Sequence, residues 1–600
     1  MKNKISDAVV DFMVKKGLTQ VFAVPGGGAM HLNDSFANNK NINITYMHHE
    51  QSAAMAADAY FREKNKPAII HTTSGPGSTN ALTGVVGAWI DSIPAFIISG
   101  QVQTHQQINK TKTRQIGVQE VDIIKTVKSS TKYSCSIKSS NKVFDELEIA
   151  FIKMFEGRPG PVWIDIPLDV QAKKIILQKY KKKNRVKNNY EKNISNKIKK
   201  ILDLVKKSKK PVIVVGNAVH LSNSKKELYK FINRVKCPII SSWNATDLFN
   251  ANNSQYLGSM GIFGDRTSNL AAQNSDLMIV LGSRLSVAQV GYNTKNFAKN
   301  SKKIIIDIDA YELNKKILSN VELKVNCDLN LFLKKINYTL SKKKIFFTFS
   351  RWQKLTIYWK NKYPVYNKNQ LKNDKNINSF FFIEKLSNIL KINSTIVTDM
   401  GTSFTCTMQT MKINNHFRQR LYTSSGLSSM GFGLPGSIGA SFANPKKTII
   451  CIAGDGGLMF NIQELQTIKH YNLPIKIFVL ENKGYLTMQL MQRSHFKKLT
   501  GSDPKSGISI PKIKNIAKGF GLDYFKLGPR TIDNQLKKIL SNKKATLIEV
   551  NMPKFQPLVP RMQSKLLKNG TFSDPDFDNL YPYLPEKEIE LERIKAKLIK

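Results

Sequence analysis

Short runs rich in β-branched and apolar residues alternate along this chain with longer stretches of helical periodicity. Gln20 to Val24, Ala68 to Thr72, Ala95 to Ser99 and Val162 to Ile166 read as strands, and Gln51 to Arg62 and Asn80 to Ile90 between them as helices. Strand and helix in alternation predict a parallel sheet with crossover helices. The pattern recurs twice. Pro211 to Val215, Pro238 to Ser241, Leu277 to Leu281 and Lys303 to Ile308 are the strands of a second unit. Thr395 to Thr398, Thr448 to Ile452, Pro474 to Leu480 and Thr546 to Val550 are those of a third. The expected fold is α/β, with three consecutive doubly wound parallel-sheet domains at residues 1–172, 195–340 and 376–555. Lys173 to Lys200, rich in Lys and Asn, reads as one exposed linker, and Ser341 to Lys375 as a second. The tail, 556–600, lacks strand alternation and ends in a charged helical stretch from Glu586 to Lys600.

Composition alters this picture little. Six hundred residues, 41% of them hydrophobic, suffice for several cores. The net charge of +49, from 92 basic and 43 acidic residues, raises nucleic acid or a membrane surface as partners. The excess is mostly Lys scattered over surfaces and linkers, as at Lys181 to Lys183 and Lys342 to Lys344, with no helix-turn-helix, ribonucleoprotein or zinc pattern beside it. Neither nucleic acid nor membrane is expected as a partner. No run reaches the ~18 apolar residues of a span, and the N-terminus lacks the apolar core and cleavage site of a signal peptide. The five cysteines are dispersed without CxxC spacing, which excludes a disulfide framework and fits a reducing, cytoplasmic location.

Candidate chemistry gathers at strand ends. Gly454, Asp455, Gly456 and Gly457 follow a buried strand and precede a helical stretch, the place where a parallel sheet holds phosphate against free N–H groups. Asn482 and Gly484 stand at the end of the next strand, Asn482 lying 27 positions after Asp455. A carboxylate, an amide oxygen and the Gly484 carbonyl brought to one point suit Mg²⁺ bridging phosphates. The same residues also satisfy a plain strand-end turn whose Gly and Asn supply positive φ.

This GDG, spacer and Asn arrangement resembles the thiamine-diphosphate fingerprint. Phe22 to Gly28, His49-Glu50-Gln51, Thr73 to Asn80, Asp91 to Pro94, Ser99 to Gln101, Gln119 to Asp122, Gly157 to Val162 and Ser429 to Pro435 are similar to the acetolactate synthase (acetohydroxyacid synthase) large subunit, over about residues 5 to 555 in unbroken order. The resemblance implies a pyrimidine-binding, a central and a diphosphate-binding domain. It implies thiamine diphosphate and Mg²⁺ as cofactors, with Asp455, Asn482 and Gly484 on the metal. Glu50 would activate the aminopyrimidine ring at N1′, Met430 would wedge under the cofactor, and the Ser428 carbonyl would accept from its 4′-amino group. Gly401, Thr402 and Ser403 would line the diphosphate beside Gly454, Gly456 and Gly457. Gly26 and Gly27 would let the backbone approach the reacting centre, and Gln101 would bond the reacting unit or its acceptor. The implied reaction is decarboxylation of pyruvate and transfer of its two-carbon unit to a second carbonyl, two pyruvates giving acetolactate and CO₂. The implied assembly is a homodimer or homotetramer with the site between subunits.

The chain departs from that pattern around the acceptor. Met491 occupies the position of a tryptophan that selects 2-oxobutyrate in the synthases. Arg284 matches the first arginine of a flavin-contacting run whose acidic pair is missing here, which leaves FAD an open expectation. The tail from Gln556, with Gly501 to Gly507, looks like a branch that passes the two-carbon unit to a keto-sugar nucleotide in surface-polysaccharide pathways, and this stands as the alternative function.

Overall fold

The computed structural model describes residues 2–108, 111–176, 194–366, 375–414, 418–566, 570, 572–573 and 576–599. They contain three six-stranded sheets, each parallel throughout and interleaved with helices. In the first, β1 (Gln20–Ala23), β2 (Asn43–Tyr46), β3 (Ile69–Thr72), β4 (Phe96–Gln101), β5 (Tyr133–Ser136) and β6 (Val162–Pro167) take the order β2-β1-β3-β4-β6-β5. In the second, β7 (Pro211–Val215), β8 (Ile239–Ser241), β9 (Tyr256–Ser259), β10 (Leu277–Leu281), β11 (Lys302–Asp307) and β12 (Val321–Asn326) take the order β9-β8-β7-β10-β11-β12. In the third, β13 (Ser394–Thr398), β14 (Arg420–Tyr422), β15 (Thr448–Gly454), β16 (Lys476–Glu481), β17 (Asp523–Lys526) and β18 (Thr546–Asn551) take the order β14-β13-β15-β16-β18-β17. The first and third sheets thus repeat one topology and the second has another. Central strands such as β1, β3 and β4 are buried along their whole length, because helices cover both faces of each sheet.

One helix pair joins the first domain to the third. The Glu50–Lys64 helix begins where the His49 ring accepts the Gln51 N–H and ends at Asn65, whose φ of 55° is left-handed. Its alanines, Ala53, Ala54, Ala56, Ala57 and Ala59, are buried. The Gly433–Ala443 helix crosses it so closely that a Cβ on Gly439 would lie 2.0 Å from the Ala56 carbonyl oxygen. Small side chains let the backbones touch, and a single core including Phe22, Ala53, Val85, Val397, Ile438 and Ile477 spans both domains.

The second linker differs from its expected form. Ser350–Lys362 is a helix whose Trp352 and Trp359, seven residues apart on one face, are fully buried against the central domain. Lysines on the opposite face disguised it as loop. Of the first linker, residues 177–193 lie outside the described residues, and the Ile194–Lys207 helix begins within the rest. The tail ends in the Glu586–Lys597 helix, which packs Ile589 and Ala596 into the core holding both tryptophans. Among the described residues no helix is long and apolar enough to cross a membrane.

Candidate functional site

β13, β15 and β16 are neighbours in the middle of the third sheet, and their carboxyl ends open side by side. Asp455, only 1% exposed, starts the short helix after β15. One carboxylate oxygen accepts the Gly456 N–H at 2.8 Å. The other accepts the N–H groups of Asn482, Lys483 and Gly484 at 3.1, 2.6 and 3.3 Å. The Asn482 amide donates to the Gly484 carbonyl at 3.2 Å, so all three expected ligands converge. Glycine is needed at 484, where φ is +147° and a Cβ would stand 2.2 Å from the Ser502 carbonyl oxygen. Burial pushes the Asp455 carboxyl up to about 7, against the lowering by its backbone donors. Among the described residues no cationic side chain pairs with it, and no cluster of three His, Cys, Asp or Glu offers another metal centre. A buried acid without counter-charge, beside an amide that can turn its oxygen inward and the Gly484 carbonyl that this amide now bonds, fits Mg²⁺ completed by phosphate oxygens.

These residues open into a cavity of about 990 Å³. Gly401, Thr402, Ser428, Met430, Gly454, Asp455, Gly456, Gly457, Asn482 and Gly484 line this end of it. Ser403 does not: it is fully buried, and its hydroxyl donates to the Asp399 and Met400 carbonyls, both at 3.1 Å. Its neighbour Thr402 faces the cavity from the first position of the Thr402–Thr410 helix. Met488 on the Leu486–Phe496 helix lines the cavity, whereas Met491, one turn further on, is not part of its wall. The opposite end lies at the carboxyl ends of the central strands, between Asn217, Gly282, Arg284, Asp307 and Asp328. Arg284 donates there to the Ile90 carbonyl at 3.2 Å and stands 3.6 Å from Asp91. Sequence reading missed Asp399, 1% exposed directly after β13, whose carboxyl burial pushes up to about 7. An acid placed between a buried strand and Gly401 was the available signal.

The first sheet carries its residues at the same three strand positions. Gly26 and Gly27 follow β1, Thr73 to Asn80 follow β3, and Gln101 closes β4. Gly26 packs on Thr73, where a Cβ would come within 2.5 Å, while a Cβ on Gly27 would meet nothing within 4 Å. Glu50 is buried at 7% exposure and accepts from the Asn80 amide at 3.0 Å. Gln101 donates to the Val121 carbonyl at 2.9 Å and to Asp165 at 3.2 Å, and accepts the Val102 N–H at 3.0 Å. Within one chain Glu50, Gly26, Gly27 and Gln101 are not in the wall of the cavity that holds Asp455. The candidate residues thus form two separate groups within the chain, one from each outer domain.

Sequence comparison assigns these halves. Residues 3–125 match the family profile of the thiamine pyrophosphate enzyme N-terminal TPP binding domain, 198–336 that of the central domain, and 399–550 that of the C-terminal TPP binding domain. The chain belongs to the thiamine pyrophosphate enzymes. Within that family it is similar to the acetolactate synthase large subunit of Buchnera aphidicola, at 32% identity over 80% of this chain and 82% of the relative. It is 29% identical to the Lactococcus lactis large subunit over 94% of both chains. It is 30% identical to the chloroplastic acetolactate synthase 2 of Nicotiana tabacum over 95% of this chain and 85% of the relative. This thiamine pyrophosphate enzyme is therefore acetolactate synthase-like, and its three α/β domains match the N-terminal, central and C-terminal family profiles in that order.

Proposed function

We propose that the enzyme decarboxylates pyruvate and transfers the two-carbon unit to a second carbonyl, giving acetolactate when that carbonyl is another pyruvate. The convergence of Asp455, Asn482 and the Gly484 carbonyl at the cavity end, beneath Met430 and Ser428, is the observation that carries this reading. Bound thiamine diphosphate would supply the carbon nucleophile and electron sink that decarboxylation of a 2-oxoacid requires. Asp455, Asn482 and Gly484 would hold its diphosphate through Mg²⁺, with Gly401, Thr402, Gly454, Gly456 and Gly457 lining the anion's path. Glu50 would keep a proton at N1′ of the aminopyrimidine, and the Ser428 carbonyl would accept from the 4′-amino group. Apolar Met430 excludes water from the reacting centre.

Because Glu50 and Asp455 occupy separate half-sites in one chain, a second copy is proposed to bring its Glu50 half to this chain's Asp455 half. Mixing tests that. Glu50→Gln and Asp455→Ala proteins, each inactive alone, are expected to regain about a quarter of wild-type turnover on subunit exchange, because half the dimers are mixed and each has one intact site. No recovery despite verified exchange would place both residues in one chain's site.

Two further proposals concern the cavity. A keto-sugar nucleotide as acceptor is favoured by the cavity's volume of about 990 Å³ and by flexible, 42% exposed Met488 in its wall. FAD is proposed for the central end beside Arg284, and flavin absorbance in purified protein decides it. Incubation with thiamine diphosphate, Mg²⁺ and pyruvate, followed by product mass, separates the acceptors. Acetolactate from pyruvate alone supports the first reading, and a branched sugar formed only with added keto-sugar supports the second.

A further inference from the structure

Met430 sits on a turn that the chain grips at two points. The Gly431 N–H donates to both oxygens of Asp399, at 2.9 and 3.1 Å. The Gly431 carbonyl accepts from the Asn461 amide at 2.8 Å. Both holders are 1% exposed. Asp399 follows β13 and Asn461 follows the helical turn that leaves β15, so Gly431, next to Met430, is held on both its backbone sides from the two strand ends beside the metal cradle.

The turn needs holding. Ser428 has φ of 61° and Gly431 φ of 89°, left-handed conformations that cost energy for a residue with a Cβ such as Ser428. Packing leaves it no other path. A Cβ on Gly431 would lie 2.6 Å from the Phe460 Cβ, and one on Gly457 would lie 2.7 Å from Asp399 Oδ2, so Asp399 is wedged between the diphosphate loop and the Met430 turn. Asn461 has a further tie: its oxygen accepts from Gln51 at 3.2 Å and Ser52 at 3.0 Å, the two residues after Glu50.

Resting on the thiamine-diphosphate reading, we propose that Asp399 and Asn461 are positioning residues that fix the peptides on either side of Gly431 and so aim Met430 at the bound cofactor. Neither touches a reacting atom. Methionine is the most pliable of the apolar side chains, so it forms a rigid wedge only when its backbone cannot move. Asp399 holds the N–H of the Met430–Gly431 peptide and Asn461 the carbonyl of the Gly431–Phe432 peptide, so the two peptide planes that meet at the Gly431 Cα are both held.

The test uses full-length holoenzyme with thiamine diphosphate and Mg²⁺. Hydrogen–deuterium exchange at the thiazolium C2 position, read by NMR after acid quench, reports cofactor activation without pyruvate. Asp399→Asn keeps the shape but turns an NH₂ toward an N–H donor, and Asn461→Ala removes the other grip. Each is expected to slow both C2 exchange and kcat by about tenfold or more, the scale of a misplaced group near the chemistry. The cofactor dissociation constant should stay within about threefold, because the Asp455 cradle is untouched. Exchange at the wild-type rate in both variants overturns the proposal. So does a parallel fall in Tm and cofactor affinity with unchanged exchange in the bound fraction, the signature of a merely structural role. Wild-type protein that binds no thiamine diphosphate defeats the functional reading and this inference with it, whereas wild-type binding with unaffected variants defeats this inference alone.

Discussion

At the scale of single residues, the proposed roles separate the chemistry from cofactor retention. Glu50→Gln is expected to cut pyruvate turnover by about 10²-fold or more while leaving Mg²⁺-dependent cofactor binding near wild type. Asp455→Ala should instead weaken that binding by about 10–100-fold, and titration calorimetry of both variants checks the pair. A third residue makes a pH prediction. Asp165, beneath Gln101, has its carboxyl pushed by burial from 3.8 up to about 7. Between those values the folded protein keeps a proton that the unfolded chain has lost. The stability from this group is complete below the unfolded value and disappears as pH rises through about 7. Asp165→Asn should therefore lose less stability than wild type between about pH 5 and about pH 8, read as urea midpoints. Equal losses would exclude the assignment. Asp455, Asn482 and Gly484 could be singled out because each stands within three residues of the end of a hydrophobic strand. Asp399 and Asn461 were not, since their partners are backbone groups 32 and 30 positions away. Ser403 was indistinguishable from Thr402 until the helix start turned its hydroxyl back onto the Asp399 carbonyl.

At the scale of elements, the sequence revealed four strands in each sheet and missed two, and the missed strands are the sheet edges: β2 and β5, β9 and β12, β14 and β17. An edge strand has one solvated side, so its residues need no apolar run. β2 and β17 are mostly exposed or half-buried. β14 is the exception. It is buried, but by polar means, with Arg420 paired to Asp247 of the central domain at 2.7 Å. The helix pair that joins the outer domains makes a sharper prediction. Gly439→Ala would set a Cβ 2.0 Å from the Ala56 carbonyl oxygen, a backbone atom that cannot rotate away. The helices must separate, at a cost on the order of 3 kcal/mol, visible as a lowered Tm with both helices still present by circular dichroism. An unchanged Tm would mean the crossing is looser than described.

At the scale of the whole molecule, the tail ties together the third domain, the central domain and the second-linker helix. It bonds back at successive points: Gln409 to the Pro560 carbonyl at 2.8 Å, Met562 N–H to Ile262 at 2.7 Å, Asn269 to the Phe577 carbonyl at 2.8 Å and Trp359 to Glu592 at 2.9 Å. A chain ending at Phe555 is expected to expose Trp352 and Trp359, shifting tryptophan emission to the red and lowering Tm. Unchanged emission would show that the tail only rests on the surface. Domain order was readable from the alternation of strands and helices, but this docking was not, because it depends on a tryptophan pair hidden among lysines. The repeated strand order of the outer sheets has a longer reach. In both, candidate residues stand at the carboxyl ends of the first four strands: Gly26, Glu50, Thr73 and Gln101 in one, Asp399, Met430, Asp455 and Asn482 in the other. One six-stranded frame thus serves twice in a single chain, and both uses match TPP binding domain profiles.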